Sequence, residues 1–161
     1  MKNSNISLPN DPLTGITINE LGKKFRDRLI TCKEVTSIYF ERIRILNPHL
    51  HAYIYTDEEK GLIWADSIDK LFSCGIYLGP LMGIPVAIKD ICSVNEMPTT
   101  NGSQIKSDDI TGPEGNLVRR LKSLGCVILG KTHTVEFALG ATGLNKYNGT
   151  PTNPCDEKIH R

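Results

Sequence analysis

The lysine that ends Gly79-Pro80-Leu81-Met82-Gly83-Ile84-Pro85-Val86-Ala87-Ile88-Lys89-Asp90 has the clearest claim to chemistry, because it directly follows a short apolar run. Val86, Ala87 and Ile88 suit a strand covered on both faces, and Pro85 fits its first position, where a missing N–H is least costly. Lys89 is then expected at the carboxyl end of that strand, where open α/β sheets place their sites. Burial favours the neutral amine, and a neutral lysine accepts a proton from a neighbouring hydroxyl, which is the logic of serine-lysine catalysis. The plainer reading of the segment is a solvated lysine at a strand end, paired with Asp90.

Three other groupings meet a chemical pattern in letters. Gly125-Cys126-Val127-Ile128-Leu129-Gly130-Lys131-Thr132 satisfies the phosphate-loop spacing G-x-x-x-x-G-K-[ST]. In a phosphate loop those intervening residues follow a strand and curl so that backbone N–H groups point at phosphate. Here they read as the strand itself, with a helix before Gly125, so nucleotide binding is a remote alternative. Ser67-Ile68-Asp69-Lys70 matches S-x-x-K, yet it lies mid-helix among charges with no S-D-N or K-T-G partner, and reads as a solvated face. His49 and His51 would share one side of a strand as metal ligands, but no third ligand stands at suitable spacing, and surface residues are the better reading.

The elements that must carry these residues are those of an α/β protein. Thr17-Ile18-Asn19-Glu20 and Thr31-Cys32-Lys33-Glu34 both fit the capping box, so helices are expected to start there. The second carries Val35, Ile38, Tyr39, Ile43 and Leu46 on one face, and Pro48 is expected to end it. Residues 51–56 read as a strand and 57–74 as a helix that Gly75 terminates. The lysine strand follows, then a long polar loop over 95–115, a length usually functional or mobile. A short helix over 116–124 with Leu117, Leu121 and Leu124 inward leads to a buried strand over 126–129. Residues 130–153 are rich in Gly, Thr and Asn, with at most a short helix near 134–139.

Composition narrows the classes. The 161 residues, 39% hydrophobic and 23% charged, are those of a globular protein, and a net charge of +1 gives no reason to invoke direct nucleic-acid contact. Five cysteines, at 32, 74, 92, 126 and 155, include no C-x-x-C pair and leave one over in any disulfide scheme, so a reducing, cytoplasmic compartment is expected. No apolar run approaches the length of a membrane-spanning helix, and the polar first residues do not read as a signal peptide.

Several segments taken in register carry a resemblance more specific than any single pattern. Gly83-Ile84-Pro85-Val86-Ala87-Ile88-Lys89-Asp90, Pro98-Thr99-Thr100-Asn101-Gly102-Ser103, Leu129-Gly130-Lys131-Thr132, Glu136-Phe137-Ala138, then Asn153-Pro154 and Asp156, resemble the amidase signature family in order and spacing. The resemblance implies the N-terminal portion, residues 1–161, of a single amidase-signature domain, with helices on a mixed β-sheet that is incomplete in this chain and residues 1–15 flexible. It assigns Lys89 the role of base in a Ser-cisSer-Lys triad that hydrolyses carboxamide C–N bonds.

The same resemblance places the Gly/Ser-rich signature with the cis serine, and the nucleophilic serine after it, beyond Arg161. Ser103 would line a pocket, with no pattern that makes it a nucleophile. By itself the chain is expected to be inactive and poorly stable, or to need a companion chain carrying the remaining strands. A small-molecule amide is the implied substrate of the complete form, with no metal and no organic cofactor. Alternatives are a fragment of the A subunit of the amidotransferase that acts on misacylated tRNA, or an inactive truncated remnant. His133, where relatives usually carry Asn, and Cys155, where an aromatic residue is common, depart from the family pattern.

Overall fold

A computed structural model describes residues 8–105 and 111–155. The expectations for the first seven residues, for residues 106–110 of the long loop and for Asp156 lie outside the described residues. Both capping boxes form. Thr17 and Glu20 exchange backbone and side-chain hydrogen bonds at the start of α1 (Ile18–Arg26), as do Thr31 and Glu34 at the start of α2 (Cys32–Leu50). Each carboxylate is held below its usual range by the cap's backbone N–H, then by the threonine hydroxyl. The Asp69 carboxylate adds a second cap, accepting from Cys32 N–H at 2.8 Å and Lys33 N–H at 3.0 Å.

Pro48 does not end α2. It sits in the last turn, and the helix runs on to Leu50 before His51 closes it in a left-handed conformation, its N–H bonded to the Asn47 carbonyl. That late position limits the damage, because a proline in the last turn removes only one hydrogen bond. β1 (Tyr53–Thr56) follows, then α3 (Glu58–Ser73), capped by Asp57 and turned off at Gly75. After β2 (Pro85–Lys89) the chain crosses through α4 (Asn116–Ser123) to β3 (Val127–Thr132) and a single 3₁₀ turn at Glu136–Ala138.

The sheet order is β1-β3-β2, with β1 antiparallel and β2 parallel to the central β3. On one face Leu21, Phe25, Val35, Phe40, Ala65, Ile68, Val127 and Leu129 form the main core between helices and sheet. On the other, Ile128 and Ile88 pack with Val118 and Val94. β3 is thus covered on both faces, as its unbroken apolar run requires. α4 is rotated from the expected register: Val118 is buried, Leu117 is 62% exposed, and Leu121 and Leu124 are half-buried. Gly130 lets β3 pass β1, since a Cβ there would stand 2.1 Å from the Tyr55 carbonyl oxygen.

β2 departs from the expected strand. It lies at the sheet edge, and only Ile88 is buried, while Ala87 and Lys89 are exposed. Val86 still packs against both core clusters, but among the described residues no element covers the side chains of Ala87 and Lys89.

Candidate active site at the carboxyl ends of the parallel strands

β2 and β3 run parallel in a register that sets Lys89 opposite Thr132, so both strands deliver their last residues to one end of the sheet. Lys89 reaches that end as expected, but its side chain is exposed, and the burial that would favour a neutral amine is not supplied by the described residues. Nor does it pair with Asp90. Asp90 is fully buried and turned inward to Lys131, whose side chain is also fully buried, at 3.0 Å.

A cage closes around that pair. The Lys131 amine donates to the Thr99 hydroxyl at 2.7 Å and the Pro98 carbonyl at 3.2 Å as well as to Asp90. Asp90 accepts from the Thr100 hydroxyl at 2.5 Å and the Thr100 N–H at 3.1 Å. Its backbone is held too, the N–H by the Thr132 carbonyl and the carbonyl by the Asn101 N–H. A buried ion pair avoids its desolvation penalty only when its remaining hydrogen-bonding capacity is filled, which these bonds do. Sequence patterns alone do not single out this lysine as the partner of Asp90. The one signal is a charged residue inside a run otherwise fit for double burial, the same run that meets the phosphate-loop pattern.

The loop that supplies Pro98, Thr99 and Thr100 continues into a second polar contact. Ser103, nearly buried, donates to Glu136 at 2.8 Å, and Asn145 donates to the carbonyls of Gly102 at 2.6 Å and Thr134 at 3.1 Å. Gly102 sits at φ +69°, and a Cβ on it would meet the Thr134 carbonyl oxygen at 2.7 Å. Ser103 is therefore a structural donor in the wall of the site. His133 follows β3 directly, its ring buried with neither nitrogen bonded. Burial, then the nearby Lys89 charge, holds it below the ordinary histidine range.

The other patterns dissolve into structure. Residues 127–132 are strand, preceded by α4, so no phosphate cradle forms. Ser67 bonds back to the Ile63 carbonyl within α3, and Lys70 pairs with Asp66 on the exposed face. His49 lies in the last turn of α2 and His51 caps it, so neither is on a strand, and no group of residues fit to hold a metal occurs among the described residues. Cys155 is exposed, and the chain before it docks on α2 through Thr152, whose N–H bonds to the Leu50 carbonyl. No helix among the described residues is long and apolar enough to cross a membrane.

Comparison with known proteins places this geometry. The family described as Amidase matches residues 34–160. The chain is 37% identical over 140 residues to the A subunit of the glutamyl-tRNA(Gln) amidotransferase of Acidothermus cellulolyticus, covering 87% of this chain and 28% of that protein. Its counterpart from Nitrosomonas europaea is 38% identical over 140 residues, covering 87% and 29%. The native peptide amidase from Stenotrophomonas maltophilia superposes with a TM-score of 0.82 at 28% identity, covering 92% of this chain and 32% of that one. The chain belongs to the amidase family, and its mixed α/β architecture is that of part of the amidase-signature fold. It spans less than a third of the length of these relatives.

Proposed function

We propose that this chain supplies the lysine of an amidase that hydrolyses carboxamide C–N bonds through a Ser-cisSer-Lys triad, with Lys89 as the base. The observation that carries the reading is the placement of Lys89, in the family's G-I-P-x-x-x-K-D setting, at the carboxyl end of two parallel strands beside a fixed cage. In the complete fold, residues 1–161 form one portion of a single domain. Either further sequence or a companion chain covers the open edge of β2 and contributes both serines. That cover desolvates Lys89 and favours its neutral form. The amine lone pair then takes the bridging serine's proton, and the bridge takes the nucleophile's. The nucleophile bonds to the carbonyl carbon, the C–N bond breaks with the proton returned to the leaving nitrogen, and water hydrolyses the ester.

The names of the curated relatives favour a second reading, one component of an amidotransferase in which the released ammonia is passed on. Both use the same lysine. The five cysteines, all free, fit a reducing cytoplasmic setting for either.

The gene downstream of the Arg161 codon is the first place to test this. A Gly/Ser-rich continuation, in frame or on an adjacent gene, supplies the missing serines, and its complete lack removes the hydrolytic reading. The joined or co-expressed product is expected to release ammonia from a primary carboxamide, with Lys89→Ala slower by about 10²- to 10⁴-fold. Hydrolysis that survives Lys89→Ala undiminished rules out Lys89 as the base.

A further inference from the structure

Lys89 emerges from an edge strand with its amine bonded to no described residue, yet the residue after it is fixed at every polar atom. Asp90 N–H, carbonyl and both carboxylate oxygens are engaged, by Thr132, Asn101, Lys131 and Thr100. All four partners also belong to segments that wall the site: Lys131 and Thr132 end β3, and Thr100 and Asn101 belong to the loop tied through Gly102 and Ser103 to residues 134–145. A side chain cannot be aimed by a backbone that is itself free, and an edge strand carries only half the ladder bonds of a central one. The bonds on Asp90 carry the hold of β3 one residue past the end of β2 and add the loop at Thr100 and Asn101 as a second anchor.

We infer that Lys131, acting through Asp90 and Thr100, is a positioning residue that holds Lys89 at the carboxyl end of β2. The inference deepens the reading of Lys89 as base and rests on it. The alternative role for a fully buried ion pair is support of the fold alone, and the two differ in a measurable way. Support of the fold changes stability. Positioning changes where the Lys89 amine sits when the chain is folded.

His133 reports that position. Its ring is buried with neither nitrogen in a well-formed hydrogen bond, and it feels the Lys89 charge, with His51 and Asp90 as the other charged or titratable groups around it and the Gly143 backbone beside it. The experiment is an NMR titration of the His133 ring in the full chain. Lys89→Gln is introduced in three backgrounds: the parent, Thr100→Ala and Asp90→Asn/Lys131→Met. Each background is its own reference, so charges removed with the pair cancel from the comparison.

In the parent, Lys89→Gln is expected to raise the His133 midpoint, because it removes a nearby positive charge. In both altered backgrounds that rise is expected to shrink to about half or less, the amine being no longer held beside the ring. Thr100→Ala leaves the ion pair intact and decides alone if the double variant does not fold. A rise of undiminished size in the folded variants overturns the inference, as does no rise in the parent. Loss of the catalytic reading would show instead as hydrolysis that survives Lys89→Ala.

Discussion

Two halves of this molecule are held by different means. On the helical side α1, α2 and α3 press Leu21, Phe25, Val35, Phe40 and Ile68 against Val127 and Leu129, and the cohesion is apolar burial. At the carboxyl ends of β2 and β3 the cohesion is polar: Lys131, Asp90, Thr99, Thr100, Asn101, Ser103, Glu136 and Asn145 are joined by directed bonds under an open sheet edge. Burial is non-directional and forgives small shifts, whereas a buried ion pair tolerates no missing partner. The half that needs fixed geometry is thus the one built from directed bonds.

The largest effect is expected where the polar half is broken from one side. Lys131→Met leaves Asp90 fully buried with its countercharge gone, and urea unfolding should show a loss of about 3–5 kcal/mol. Asp90→Asn/Lys131→Met should recover most of it, since neither side chain then carries a buried charge. If the single substitution costs no more than an exposed one, the cage does not hold the carboxyl end.

Leu21→Ala attacks the apolar half. Leu21 is fully buried in the main core, and the transfer and cavity costs together predict a loss of about 3 kcal/mol by the same measurement. No single partner substitution should restore it, in contrast to the pair. Recovery by one compensating change would mean that the two halves are held alike.

The two halves differ as sharply in how legible they are from sequence. Capping boxes at Thr17 and Thr31, the Asp57 cap, the stop at Gly75 and the double burial of β3 are local patterns, written within a few residues of where they act. The cage is not local, because Lys131 and Asp90 stand 41 residues apart and no spacing rule links them. The parity of α4 misleads because Leu117 outweighs Val118 in hydrophobicity, while the neighbours Ile88, Val94 and Ile128 take the side that Val118 presents. Pro48 breaks less than its residue type suggests, since its place in the last turn limits what it removes. The exposure of Lys89 is hidden because a strand's sequence does not state which of its side chains a neighbouring element covers, and none among the described residues covers Lys89.

His133 sharpens the contrast from within the polar half, as a buried ring that the cage does not bond. With its protonation in the folded chain held below the ordinary histidine range by burial and by Lys89, the unfolded chain binds the proton first as pH falls. The stability it contributes is therefore fully present above about pH 6.5 and is lost as pH drops toward the lower folded value. Thermal midpoints of the parent should fall more steeply from about pH 7.5 to about pH 5.5 than those of His133→Asn, which carries nothing to titrate. Parallel curves would place the ring in water.

The smallest effect belongs to the exposed side chains beside the 3₁₀ turn, Leu139 and Leu144, which belong neither to the apolar core nor to the bonded cage. Leu139 is 84% exposed and Leu144 is 56% exposed, and both line a shallow cavity of about 310 Å³ with Val135 and Tyr147. Leu139→Ser should shift the urea midpoint of the chain by an amount worth less than about 0.5 kcal/mol, the usual range for a substitution that touches no core. Should the rest of the fold cover this surface, as proposed for the open edge of β2, the same substitution would become costly once that cover is present. A large cost in the chain alone would show instead that residues 135–147 already pack as a third apolar region, and that the division into two halves is incomplete.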